Sequence, residues 1–453
     1  MKHFGTIDLE LLPQVRRAAG AAIPKRFFSS HHPAWTKIRE ASYLLFSHNA
    51  NKQAAGPGMS RNLSLKLRYA IILILLGLIA LIEARQPFPS FRLASFILAF
   101  LALALSASLL RGTLRDGFVV LASLAFGLSI VETAAILLDR QGVVVASVTN
   151  GWSVPQPVIG WGPQHAGSFH AEKSDPQSGV SIYKADYTID SNLLRETRSA
   201  ETGPTIAFFG DSFTFGEGVN DAETLPQAFA DLLGRKERVL NLGFSGYGPH
   251  QFLAELQTGR FDGVIGAQPR LFIFMTGAGH AERSACQPFW VRKGPRYVLE
   301  NGEVVSKGLC YEGLRLWARE WLDNTASYRS FIEPYIQKAT HEDVELYIQI
   351  VLGAVKLAKE KYGVATLIPY AGPLLTGTDY LKGTGFTHDE IIRRLREGGA
   401  MVVDVALTKD KCPEELCIKG DGHPTPLANR LRASIIKAYI EQHVPGILVA
   451  DLQ

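Results

Sequence analysis

Residue types that together make a nucleophilic site stand at the two ends of one long stretch. Gly210-Asp211-Ser212 offers a serine, and Asp421-Gly-His423-Pro offers a carboxylate and an imidazole. A serine hydroxyl is a weak nucleophile until a base takes its proton and a third group orients that base. His423 is the candidate base and Asp421 the candidate orienter. Ser212 closes the apolar run Thr205-Ile-Ala-Phe-Phe-Gly210, which reads as a buried strand. A serine where such a strand becomes loop lies at the carboxyl edge of a sheet, where open α/β sheets carry their chemistry. The plainer reading is a turn and helix cap, since Asp and Ser favour both. A phosphate loop at Gly210…Gly216-Glu-Gly218 is excluded, because no Gly-Lys-Ser/Thr follows.

The elements that must bring these ends together alternate from residue 204 onward. Strands are expected at Thr205–Gly210, Val239–Gly243, Arg270–Gly277, Val364–Pro369 and Met401–Ala406. Helices are expected at Ala222–Arg235 with Asn220 or Asp221 as cap, at Pro249–Arg260, about 312–338, 341–361, His388–Glu397 and Pro424–Glu441. Short apolar strands separated by helices make a parallel, three-layer α/β sheet. An insertion at about 281–338 interrupts it, with a hairpin turning at Asn301-Gly302. His250, His341, His388 and His443 fall on or beside predicted helices and are expected to be solvated. His165 and His170 show no ligand spacing.

Three blocks in this order resemble the SGNH (GDSL-type) hydrolases, a family of flavodoxin-like esterases, lipases and carbohydrate deacetylases. Gly210-Asp211-Ser212 is similar to their first block, Asn241-Leu-Gly-Phe-Ser-Gly246 to the second, and Asp421-Gly-His423-Pro to the last. The resemblance covers residues 205–440. It implies that Ser212 attacks an ester carbonyl while His423 relays the proton and Asp421 holds the imidazole. It also implies that the backbone N–H groups of Ser212 and Gly246 receive the oxyanion, each such donor being worth roughly 3 kcal/mol. Two departures stand out. The family often spaces its acid–base pair as Asp-x-x-His, one residue longer than here. Its third block, Gly-x-Asn-Asp, is replaced by Gly277-Ala-Gly279-His280, so Gly279 stands in place of an asparagine donor, with His280 as the candidate substitute.

The rest of the chain supplies a setting. Formal net charge is only +4 over 453 residues, and no basic block with interleaved aromatics occurs, which argues against nucleic acid as partner. Three apolar runs, Tyr69–Ile82, Leu93–Leu110 and Gly117–Leu138, read as membrane spans, the first short, the others close to the roughly 20 residues a bilayer needs. A buried apolar hairpin in a soluble core is the competing reading. Arg61, Lys66, Arg68, Arg111 and Arg115 favour a cytoplasmic N-terminus, opposed in part by Arg85, Arg92 and Arg140. Residues 141–453 would then lie outside a plasma or inner membrane. Glu132, inside the third run, is expected near its outer end, reaching water or a neighbouring helix. All four cysteines follow the last run, as an oxidising compartment would allow. The expected bridges are Cys412–Cys417 and Cys286–Cys310, and the spacings fit no common zinc pattern.

The organisation expected is therefore a tail over 1–65, with Met59 a candidate start, then three transmembrane helices over 66–140. A small β-rich linker over 141–203 and the hydrolase domain over 204–453 follow. Val180–Ile189 alternates as a linker strand. The expected function is a membrane-anchored extracytoplasmic serine esterase with no metal or cofactor, acting on an acylated envelope glycan or a lipid. Acyl transfer at the same site, or a pseudo-hydrolase that binds a glycan or partner, are the alternatives.

Overall fold

The computed structural model describes residues 59–138, 147–148, 153–175, 178–336, 338–372, 379–408 and 412–448; residues 1–58 of the expected tail lie outside them, and its last residues, 59–65, are helical. The chain divides into two compact units, Met1–Ile71 and Ile72–Gln453, and the candidate site belongs to the second.

The apolar runs form helices α1 (Met59–Arg85), α2 (Phe91–Ala107) and α3 (Gly112–Leu138). At 1.5 Å per residue α1 and α3 are each about 40 Å long and α2 about 25 Å. Two of them, over Ser64–Arg85 and Gly112–Leu138, are long and apolar enough to cross a membrane, and α2 is a shorter apolar helix. The lengths of the first two runs are thus reversed from expectation. Lys, Arg and Glu are good helix formers and extend α1 past its apolar part. Meanwhile Ser108–Arg111 turn the chain out of α2 into α3. Small side chains at Ala102, Ala107, Ala122, Ala125 and Ala135 are buried in this pair of helices, and Phe100 meets Phe126 at 5.2 Å.

The β-rich linker holds an antiparallel pair, β1 (Gly167–Ser174) and β2 (Ser181–Ile189), preceded by a short hairpin of Ser153–Gln156 and Gly160–Pro163. Alternation decides its inner face: Tyr183, Ala185, Tyr187 and Ile189 turn inward with Phe169 and pack on Phe215, just beyond Ser212.

The central sheet contains β3 (Thr205–Gly210), β4 (Arg238–Gly243), β5 (Pro269–Phe274), then β8 (Ala365–Ala371) and β9 (Met401–Asp404) after the insertion. All pair in parallel, in the order β9-β8-β5-β3-β4. Every residue of β3 is buried, as a central parallel strand covered on both faces requires. Ala207 and Phe209 face helices α6 (Pro249–Thr258), α10 (His341–Tyr362) and α11 (His388–Glu397). Ile206 and Phe208 face α5 (Leu225–Leu232) and α12 (Pro426–His443). This is the three-layer arrangement expected. The first strand lies between the second and third, so the strand order reverses at β3, and ligands bind at such a switch point.

In the insertion, β6 (Pro295–Glu300) pairs with β7 (Glu303–Leu309) through Asn301 and Gly302, both at positive φ. The helix expected over about 312–338 breaks into α7 (Gly313–Asp323), α8 (Ala326–Phe331) and α9 (Glu333–Ile336). Extended backbone at Thr325 ends the first. Pro334 is tolerated only in a first turn and so starts the last. Both expected disulfides, Cys286–Cys310 and Cys412–Cys417, are formed.

Candidate active site

Ser212 begins the one-turn helix α4 (Ser212–Phe215) at the carboxyl end of β3 and is buried. Asp211 caps that turn, its Oδ1 accepting the Phe213 N–H at 2.9 Å. Its other oxygen, Oδ2, accepts from Arg283 Nη1 at 2.8 Å and lies 3.1 Å from His280 Nε2. Burial works against the charge on Asp211, but Arg283 and His280 outweigh it and hold the carboxyl well below its usual range. His280 is pushed below its ordinary value by burial and by Arg283. The trio is therefore an Asp⁻–Arg⁺ pair with a neutral histidine.

The expected role of His280 as an oxyanion donor meets a different geometry. Its Nδ1 lies 2.9 Å from Thr276 Oγ1, so both ring nitrogens are engaged behind Asp211. Gly279 brings no side chain, and the histidine braces the serine's turn from beneath.

The second part of the site is the loop between Cys417 and α12. His423 Nδ1 bonds Asp421 Oδ2, which also accepts the His423 backbone N–H at 3.2 Å. Gly422, at φ +91°, folds the chain so that the imidazole returns to a carboxylate only two residues away. The short Asp-x-His spacing therefore still closes. Ile418 N–H donates to the His423 carbonyl at 2.9 Å, and the Cys412–Cys417 bridge ties the start of the loop. The imidazole packs edge-on against Phe213, centroids 5.7 Å apart, which sets it beside the residue after Ser212.

Two partners of this pair escaped the sequence reading. Lys173 of β1 reaches across 248 positions to Asp421 Oδ1 at 2.5 Å, and the Asp421 side chain is fully buried. Glu217 Oε2 lies 3.7 Å from His423 Nε2. Burial opposes the Asp421 charge, yet His423 and Lys173 together lower the carboxyl to about 2. Burial also pulls His423 down, but Glu217 and Asp421 overcome it, and the imidazole holds its proton above the ordinary histidine value. Nothing local in the sequence marks Lys173, since its role depends on how the linker sheet folds onto the domain. Glu217 was legible only as part of a glycine-rich turn.

The linker grips the serine's turn directly. Arg195, wholly buried, bonds Asp221 at 2.6 Å and the Val219 carbonyl at 2.9 Å, and the Gly218 N–H donates to Tyr187 Oη at 2.9 Å. On the other side, Trp161 Nε1 donates to the Ser245 carbonyl at 2.9 Å and Trp290 Nε1 to the Gly246 carbonyl at 3.3 Å. A Cβ on Gly246 would lie 2.9 Å from the Trp290 ring, so only glycine fits between the two indoles. A cleft of about 440 Å³ opens here, walled by Trp161, Trp290, Arg292 and Lys293.

Of the four histidines expected to be solvated, His341 and His443 are exposed, while His250 and His388 are not. His250 is completely buried, which pushes it down to about 3. His388 is half-buried against Tyr370 Oη at 2.9 Å, and His341 meets the Thr384 carbonyl at 2.9 Å. His443 is exposed, stacked on Tyr439.

No curated protein matches the chain by sequence. Several solved structures are similar over about half of it. A member of the lipolytic protein G-D-S-L family from Veillonella parvula shares 13% identity, covering 52% of this chain and 97% of its own, with a TM-score of 0.32. A carbohydrate acetylesterase family member from Sinorhizobium meliloti shares 12%, covering 53% and 98%, TM-score 0.31. AlinE4, an SGNH-hydrolase family esterase, shares 16%, covering 55% and 100%, TM-score 0.27. Likeness at this level carries no information on substrate. The model of the GDSL-like Lipase/Acylhydrolase family matches residues 208–431, the span that runs from β3 through Ser212 and His423 into the last helix. By that match residues 208–431 form a domain of the GDSL-like lipase/acylhydrolase family, enzymes that act on ester bonds.

Proposed function

We propose that the protein is a membrane-anchored serine acyl hydrolase whose nucleophile is Ser212, with His423 as general base and Asp421 as its orienting carboxylate. The observation that carries the reading is the Asp421–His423 pair, its imidazole packed on Phe213 in the turn that begins at Ser212. His423 Nε2 takes the proton as Ser212 Oγ bonds to the ester carbonyl carbon. The tetrahedral oxyanion is received by the backbone N–H groups of Ser212 and Gly246. Collapse breaks the carbon–oxygen bond to the leaving alcohol, which receives the proton from His423. Water, deprotonated by the same imidazole, then releases the acid and regenerates Ser212.

The substrate class we infer is an acylated glycan or lipid of the envelope. A cleft with two indole walls beside Gly246 suits a sugar ring or an acyl chain. The apolar helices before the domain support anchoring at a membrane, and the basic residues Arg61, Lys66, Arg68, Arg111 and Arg115 support placing the domain on its outer side. The two disulfides suit an oxidising compartment.

The test is hydrolysis of short-chain aryl esters and of acetylated oligosaccharides by the full chain beside His423→Ala and Asp421→Asn. Asp421→Asn should lower kcat by about 10⁴-fold while leaving the fold intact. Wild-type turnover equal to that of the variants would refute the assignment.

A further inference from the structure

Helices α2 and α3 hold the inserted segment by side chains that apolar helices rarely carry. Arg92, in the first turn of α2, pairs with Glu83 of α1 and lays its guanidinium over the Trp321 ring of α7 at 4.7 Å. Phe96, one turn on, meets the same ring at 6.0 Å. Glu132 of α3 is buried, and its carboxylate accepts the backbone N–H groups of Ala326 at 2.7 Å and Ser327 at 3.0 Å, with the Ser327 hydroxyl at 2.6 Å. It thus caps α8 at the end where negative charge is favoured. An ionisable side chain in an apolar helix is costly unless partnered, and here its partner is the insertion.

These contacts set a level. Arg92 opens α2, and Glu132 lies six residues before the end of α3, about 9 Å along its axis. Both touch the insertion, so they share the end of the helical pair from which the chain leads on to the hydrolase domain. An interfacial helix buries its apolar face about 5–10 Å into the boundary between headgroups and acyl chains. Beyond these contacts α7, α8 and α9, with Ile332 between the last two, expose Leu314, Trp317, Phe331, Ile332, Tyr335 and Ile336, each by between 41% and 77% of its surface. Large apolar groups gathered on consecutive short helices mark an interaction surface. Trp and Tyr among them are the types that favour a membrane–water boundary.

We infer that α7–α9 form a docking platform that lies in the bilayer interface, with lipid as the partner covering these side chains. The inference rests on the reading that α1–α3 cross a bilayer. It goes further in assigning the platform a task. Arg292 and Lys293 of the cleft wall pair with Asp323 and Glu320 of α7 at 3.0 and 3.6 Å. The platform therefore fixes the height of the cleft over the membrane, and the esters presented to it are those at the lipid surface.

The test uses the full chain in phosphatidylcholine–phosphatidylglycerol nanodiscs. All four native cysteines are in disulfides, so one added thiol takes one nitroxide label. Labels go at Leu314→Cys and Tyr335→Cys on the platform, Leu73→Cys on α1, and Glu360→Cys, which lies about 28 Å along α10 from His341. Power saturation compares collision with oxygen, which partitions into lipid, and with a water-soluble nickel chelate. The expected result is oxygen-dominated relaxation at Leu314, Tyr335 and Leu73 and nickel-dominated relaxation at Glu360. Lipid contact at Leu73 with Leu314 and Tyr335 both behaving like Glu360 would overturn the platform and leave the spanning helices standing. Nickel-dominated relaxation at Leu73 as well would overturn both.

Discussion

His423 stands between two carboxylates and is the residue on which pH dependence turns. Its Nδ1 is bonded to Asp421, and its Nε2, the nitrogen that takes the serine's proton in the mechanism we propose, lies 3.7 Å from Glu217. Because Glu217 and Asp421 outweigh burial and raise its proton affinity, the free base is lost as pH falls through a value above the ordinary one for histidine. Glu217→Gln should move the acid limb of the kcat/KM profile to lower pH. Lys173→Met should move it the other way, since an Asp421 freed of its lysine attracts the imidazolium more strongly. It should also lower kcat by about 10–100-fold through a less fixed imidazole. Limbs that do not move in opposite senses would mean that these groups only support the fold. The placement of Ser212 at the end of β3 and the pairing of Asp421 with His423 were legible in the sequence because short motifs carry them. Lys173 and Arg283 were not, because each is a lone cation whose partner lies far away in sequence. His280 could be found by its position in the third block, but its inward turn onto Asp211 depends on Arg283 and Thr276, which no motif announces.

The elements were legible where burial on both faces leaves a continuous apolar run, as in Thr205–Gly210 and in Leu271, Phe272, Ile273 and Phe274 of β5. Legibility failed where the chain serves a distant contact. The helical pattern after Tyr311 reads as continuous, yet it is cut at Thr325 and Pro334 into pieces that fit over Arg92 and Glu132. His250 fails for a related reason. Helix α6 is buried on nearly every side, so a polar residue on it says nothing of solvent. Each disulfide makes a prediction at this scale. Loop-closure entropy gives Cys286–Cys310, 24 residues apart, about 3.5 kcal/mol, and Cys412–Cys417, five apart, about 2 kcal/mol. Paired serine substitutions read by thermal unfolding should rank in that order. Esterase activity should rank in the opposite order, because only the second bridge ties the loop of Asp421 and His423. A larger activity loss from opening Cys286–Cys310 would contradict this.

At the scale of the whole molecule, the β-rich linker is a working part of the hydrolase domain. It supplies Lys173, the Tyr187 acceptor for Gly218, and Arg195 beneath the turn after Ser212. A fragment starting at residue 204 would uncover Phe215 and leave Asp421 without its lysine. It should be unstable and inactive, whereas one starting at residue 141 should fold and turn over ester; circular dichroism and ester hydrolysis of the two decide it. Equal activity from the shorter fragment would remove the linker from the site. The family match and the strand order support a site at the carboxyl end of β3, and the proposed function depends on whether Ser212 is an activated nucleophile. The most direct measurement is reaction of the full chain with a fluorophosphonate probe, read by intact mass beside Ser212→Ala and His423→Ala. An activated Ser212 gives one adduct on the wild-type chain, none on Ser212→Ala, and strongly slowed labelling of His423→Ala. A folded, disulfide-bonded wild-type chain that takes no adduct, or an adduct that persists in Ser212→Ala, would contradict it.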